Sequence, residues 1–175
     1  MSQLISEIIA TGGRALEEEE QWQRSVQEGK GEAGGILGVN VICFHPYVFI
    51  RAILTNYRAK HAFTVEGRRV GELKVKIQKK QYFFIVDFWK DEPLAPLQES
   101  VERLAKQKAE ACLIVLSANR YGETESRLRL IDGLAGLESR EGVYRFGAKT
   151  DEGEDVEFWV GGWKVEKKPK GATAR

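Results

Sequence analysis

Residues Gln81 to Ser117 constrain the fold more than any other stretch: an aromatic apolar run, QYFFIVDFWK, an amphipathic segment opened by prolines, and a second apolar run, ACLIVLS. The first run is apolar at consecutive positions up to Asp87, the pattern of a central strand covered on both faces. Pro93 and Pro96 suit the first turn of a helix, and Asp91 and Glu92 sit favourably at the positive end of its dipole. Leu97, Val101, Leu104, Ala105 and Ala109 then recur at helical spacing to about Glu110. A strand, a helix of roughly 15 residues and another buried strand make a βαβ crossover, so the two strands are predicted to be parallel and right-handed in connection.

Around this unit the chain predicts an α/β (α+β mixed) fold: a central mixed sheet with the βαβ crossover, an N-terminal helix and a C-terminal antiparallel meander. The 175 residues suit a single domain over 1–168, followed by a basic, disordered tail over 169–175. Residues 1–28 form the helical N-terminal segment, with Leu4, Ile5, Ile8 and Ile9 on one face and Gly12-Gly13 predicted to break it. GKGEAGG, residues 29–35, reads as a Gly-rich linker, and ILGVNVICF after it as a strand. HPYVFIRAILTNYRAK fits two states: Pro46 can start a helix with Phe49, Ile53 and Tyr57 on one stripe, while its β-branched residues suit a strand. Helix is the reading adopted.

HAFTVEG, VGELKVKI and QYFFIVDFWK read as successive strands, with QKKQ as a hairpin turn between the last two. Beyond the crossover, ANRYGET is a loop at the C-terminal end of a strand, and a second amphipathic helix runs from about Thr124 to Leu137 through Leu128, Ile131 and Leu134. GVYRFGAK and DVEFWV flank the turn TDEGE, and Gly161-Gly162 is predicted to turn the chain into a third strand, WKVEKK. Trp159 and Trp163 straddle those glycines and are expected to form an exposed aromatic edge, which leaves a homo-oligomer open.

Several chemistries are excluded. No apolar run approaches the ~20 residues that span a bilayer and the N-terminus lacks a signal peptide, so a soluble, cytoplasmic protein without a membrane partner is expected. Cys43 and Cys112 lie in apolar stretches and read as reduced core residues, and with His45 and His61 they give no zinc-ligand spacing. Glu17 to Glu20 point in successive directions around a helix, a solvated face rather than a metal site. No Lys-Ser/Thr follows Gly35 to make a phosphate-binding loop, and no Ser or Cys nucleophile with a Gly-flanked turn accompanies His45. VDFWKDEPLAPLQESVERLA resembles the first strand, active loop and helix of thioredoxin-like proteins, but KDEPLA stands where their Cys-x-x-Cys would be, which excludes redox activity.

Charge is uneven although the net value is +1: residues 51–90 carry ten Lys/Arg against three Asp/Glu. Such a basic block attracts polyanions, and it also suits the solvated faces of strands. The segment GELKVKIQKKQYFFIVDFWKDEPLAPLQESVERLAKQ resembles the small resolvase-like branch of the PD-(D/E)XK nucleases, over about Val70 to Ser117. That resemblance implies a helix, strands carrying an Asp and a Glu-x-Lys, then a helix and a strand, with the acids holding Mg²⁺ and the lysine near the attacking water. Here Lys74 stands in place of the family's Asp, leaving Glu72 as the nearest carboxylate. Asp87 replaces the family's Glu, but Trp89 holds the lysine's position and Lys90 follows one residue late, so only a bulge at Trp89 would bring Lys90 to the face of Asp87.

Three readings follow. An active Mg²⁺-dependent nuclease would use Glu72 and Asp87 as metal ligands, Lys90 near the nucleophile and Gln98 as a helper at the helix start. A degenerate relative, the reading preferred here, would keep Arg68, Arg69, Lys74, Lys76, Lys79 and Lys80 as a basic strand surface for nucleic acid or a protein partner. An unrelated α/β domain would bind a protein or a small molecule.

Overall fold

A computed structural model describes residues 2–28, 45–57, 60–66, 70–77, 79–90, 93–150 and 153–167. The elements are α1 (Ser2–Glu28), α2 (His45–Asn56), β1 (Lys60–Glu66), β2 (Val70–Ile77), β3 (Lys80–Phe88), α3 (Ala95–Ala105), β4 (Glu110–Asn119), α4 (Thr124–Asp132), β5 (Leu137–Lys149) and β6 (Asp155–Val165). The strands form one six-stranded sheet in the order β1-β2-β3-β4-β6-β5. β3 and β4 are parallel, joined by the α3 crossover, and every other neighbouring pair is antiparallel. The expected linker and strand within residues 29–44 and the tail at 169–175 lie outside the described residues.

Helices cover both faces at the centre of the sheet, because β3 and β4 carry consecutive apolar side chains over Tyr82–Val86 and Ala111–Leu116. On one face, Tyr82, Phe84, Val86 and Phe88 of β3 meet Ile5, Ile8 and Ile9 of α1 and Phe49 and Ile53 of α2. On the other, Phe83, Ile85 and Trp89 join Leu97, Val101 and Leu104 of α3 and Leu128 and Ile131 of α4. The period-2 alternation of a strand thus feeds two separate apolar clusters from one backbone. Cys112, on the α1 side, is 1% exposed, and burial pushes its thiol well above its ordinary pKa, so it packs as a small apolar group.

α1 runs unbroken through Gly12 and Gly13, against the expected break. A Cβ at Gly12 would stand 2.2 Å from Cε2 of Phe49, and one at Gly13 would stand 2.4 Å from Cδ1 of Tyr144. The glycines let two rings approach the helix backbone; they do not end the helix. Segment 45–56 is helical, with Phe49 and Ile53 buried as the stripe required. α3 has proline in its first turn, as expected, but ends at Ala105, and its last turn tightens to a bond from Gln107 N–H to Leu104 O at 2.9 Å.

α4 likewise stops at Asp132 instead of Leu137, because Gly133 caps it and Gly136, at φ 90°, turns the chain into β5. The C-terminal strands are antiparallel, but two long strands replace the expected three. β6 continues through Gly161-Gly162, where a Cβ at Gly161 would meet the Trp163 ring at 2.4 Å and one at Gly162 would meet Ile9 at 2.3 Å. Trp159 and Trp163 are 0% and 1% exposed, so they form no exposed edge. Their indole N–H groups donate to Asn119 Oδ1 at 2.6 Å and Asp132 Oδ1 at 2.8 Å. No helix among the described residues is long and apolar enough to cross a membrane.

Candidate functional site

The antiparallel register of β2 and β3 pairs Val70 with Asp87 and Glu72 with Ile85. Glu72 and Asp87 are therefore diagonal neighbours on the α3 side of the sheet, a relation that separates residues by about 7–8 Å. The sequence thus brings its two candidate metal ligands onto one face. Glu72, however, is taken: its carboxylate accepts from the guanidinium of Arg103, which reaches back from the last turn of α3. Asp87 is 6% exposed. Among the described residues no group of three His, Cys, Asp or Glu side chains could hold a metal ion. Mg²⁺ is commonly held by one or two carboxylates together with substrate phosphates, and of the two carboxylates on this face Glu72 is ion-paired with Arg103.

The end of β3 carries no extra residue. β3 pairs with β4 one for one from Tyr82↔Glu110 to Phe88↔Leu116, and Trp89 N–H continues the ladder to Leu116 O at 2.9 Å. Ser117 Oγ donates to Trp89 O at 2.7 Å, and the Arg127 guanidinium stacks 5.6 Å from the Trp89 ring centroid. Trp89 is held on the face of Asp87, and Lys90 follows as an exposed residue beyond the strand. Gln98 is also committed: its amide donates to Ala135 O at 3.0 Å and accepts from Ala135 N–H at 3.1 Å, fixing the turn between α4 and β5.

The basic candidates are arranged differently. Lys74 and Lys76 are exposed on the same side of β2 as Glu72, and Lys74 Nζ lies 5.3 Å from the Phe83 ring centroid. Ile77 pairs with Lys80, and Lys79 takes φ 68°, so the reversal between β2 and β3 is tight and presents two exposed lysines at its tip. Lys80 and Asp87 stand at opposite ends of β3, which at about 3.3 Å per residue puts the lysine tip ~23 Å from Asp87 and, through the Glu72↔Ile85 pair, ~17 Å from Glu72. Arg68 and Arg69 lie outside the described residues.

Two features had no sequence signal. Arg103 reaches Glu72 across 31 residues of chain, and the glutamate run of α1 supplies tethers rather than only a solvated face. Glu17 accepts from Tyr144 Oη at 2.5 Å, and Glu20 accepts from Arg24 and from Lys149 N–H at 3.1 and 3.2 Å. No protein-family model matches the chain, and no curated protein or solved structure matches it either. What fold and site define is a class: a three-layer α/β/α arrangement on a mixed sheet, with a lysine-tipped hairpin at one end of its central strand and an ion-paired carboxylate at the other.

Proposed function

We propose that this is a nuclease-like domain without catalytic function that binds nucleic acid through the phosphate backbone. The observation that carries the reading is the β2–β3 hairpin, where Lys74, Lys76, Lys79 and Lys80 are all exposed while the Glu72 carboxylate is occupied by Arg103. The element order supports it too: a helix, three antiparallel strands, a crossover helix and a parallel strand follow one another as the nuclease resemblance implies. Lys79 adds a further indication. It occupies the left-handed region, which disfavours a β-carbon by about 1–2 kcal/mol, and its exposed side chain stands at the tip of the hairpin.

The test is fluorescence anisotropy with a labelled DNA duplex and an RNA of equal length at 50 mM salt, alongside a cleavage assay in Mg²⁺ and Mn²⁺. Binding that weakens steeply with salt, is reduced at least tenfold by K79E/K80E, and is accompanied by no cleavage is the expected result. Cleavage that disappears in Asp87→Ala would instead establish the active nuclease. Failure to bind either polymer would move the hairpin to a protein partner.

A further inference from the structure

Lysines from two other parts of the chain converge on the end of the sheet that carries the hairpin tip. β3 and β4 start side by side, with Tyr82 opposite Glu110. Lys80 opens β3 two residues before Tyr82, and Lys108 lies in the connection two residues before Glu110, so both stand at the starting end of this parallel pair. Lys106 closes α3, at the negative end of that helix's dipole. β6 ends at this edge as well, because Cys112 pairs with Lys164, and Lys167 Nζ reaches Glu110 Oε1 at 3.1 Å. Lys76, Lys79, Lys80, Lys106, Lys108 and Lys167 are all exposed. The acids described at this end are Glu110, engaged by Lys167, Glu138, engaged by Lys164, Glu141, whose charge acts on Lys164 together with that of Glu110, and the exposed Glu166. Burial and the neighbouring Glu110 carboxylate raise the Tyr82 phenol above its ordinary value of 10.0, so it stays neutral.

We propose that these six lysines form one continuous rim, built from the β2–β3 tip, the α3–β4 connection and the end of β6, that tracks the phosphate backbone of a nucleic acid. The inference rests on the nucleic-acid reading above and extends it to two segments the hairpin does not include. The rim contains only lysines. An ammonium is a compact point charge without the rigid planar fork of a guanidinium, which suits a rim of lysines to phosphate contacts that hold across sequences.

Anisotropy titrations with two 30-bp duplexes of unrelated sequence, from 50 to 200 mM salt, test it. The two duplexes are expected to bind within twofold of each other. K106E/K108E is expected to weaken both at least tenfold at 100 mM salt and to lower the log–log salt slope by about 2, since each lost phosphate contact removes ~0.9. K167E should lower the slope by about 1, and K149Q, on the far end of β5, should bind as wild type. Circular dichroism confirms that each exposed-site variant is folded. Should K106E/K108E and K167E bind like wild type while K79E/K80E does not, the hairpin reading stands and the rim is wrong. Equal losses in all variants, K149Q included, would show unspecific charge attraction and overturn the rim. If wild type fails to bind at 50 mM salt, the reading beneath it falls first.

Discussion

Tyr144 ties the N-terminal helix to the edge strand of the sheet through one hydroxyl. Its Oη donates to Glu17 Oε2 at 2.5 Å, and its ring lies against Gly13, so polar and packing contacts converge on one side chain. The bond to the carboxylate first, and burial second, raise the phenol pKa above its ordinary 10.0, because a phenolate there would lose the donor and face a like charge. A group whose folded pKa is raised stabilises the fold fully below its unfolded value and loses that contribution as pH rises through the folded one. Tyr144→Phe should therefore cost about 1–2 kcal/mol at neutral pH, where a charge-assisted bond is lost. The difference between wild type and variant should shrink as pH climbs above about 10. Urea unfolding of both proteins between pH 7 and 11 measures it, and a difference that stays constant or grows across that range would contradict the assignment.

At the scale of elements, what the sequence showed and what it hid differ in kind. The βαβ unit was legible because continuous apolar runs and a Pro-marked amphipathic segment have few other solutions. β2 was legible because Leu73, Val75 and Ile77 alternate with Glu72, Lys74 and Lys76, and the structure buries the first set and leaves the lysines exposed. Both glycine pairs were misread, since a sequence displays the conformational freedom of glycine and not the ring or side chain that requires the missing Cβ. The Arg103–Glu72 pair stayed hidden because no local spacing links a helix end to a strand 31 residues earlier.

Substitution separates these two roles of glycine. Gly12→Ala gains about 1 kcal/mol of helix propensity, but its Cβ would stand 2.2 Å from a Phe49 ring that is 1% exposed and has no room to swing. Overpacking of that kind costs about 1–3 kcal/mol, so a net loss in melting temperature is expected. Gly133→Ala at the end of α4 meets nothing closer than 3.5 Å at φ −80°, and should be neutral or stabilising by up to about 1 kcal/mol. Scanning calorimetry of the two variants compares them directly, and a stabilised Gly12→Ala would mean that α1 sits farther from α2 than described.

Taken as a whole, the molecule is two apolar clusters sharing one set of strands. Residues of β3 and β4 alternate between them, so Phe84 and Ile114 belong to the α1–α2 side while Ile85 and Leu113 belong to the α3–α4 side. Neither β3 nor β4 can leave one cluster without opening the other, which predicts a single cooperative transition. The tryptophans make this testable. Trp89, Trp159 and Trp163 are buried on the α3–α4 side, and Trp22 is 55% exposed, so the change in fluorescence on unfolding reports chiefly that side. Ile8 is 0% exposed on the opposite side. Ile8→Ala should cost about 2–4 kcal/mol through the cavity it leaves. At roughly 2–4 °C per kcal/mol for a chain of this size, the fluorescence midpoint should fall together with the far-UV circular dichroism midpoint. Leu128→Ala, a cavity of similar cost on the tryptophan side, should lower both probes in the same way. A fluorescence midpoint that stays at the wild-type value in Ile8→Ala, while circular dichroism shows an earlier step, would mean that the two faces unfold independently and that the shared strands do not couple them.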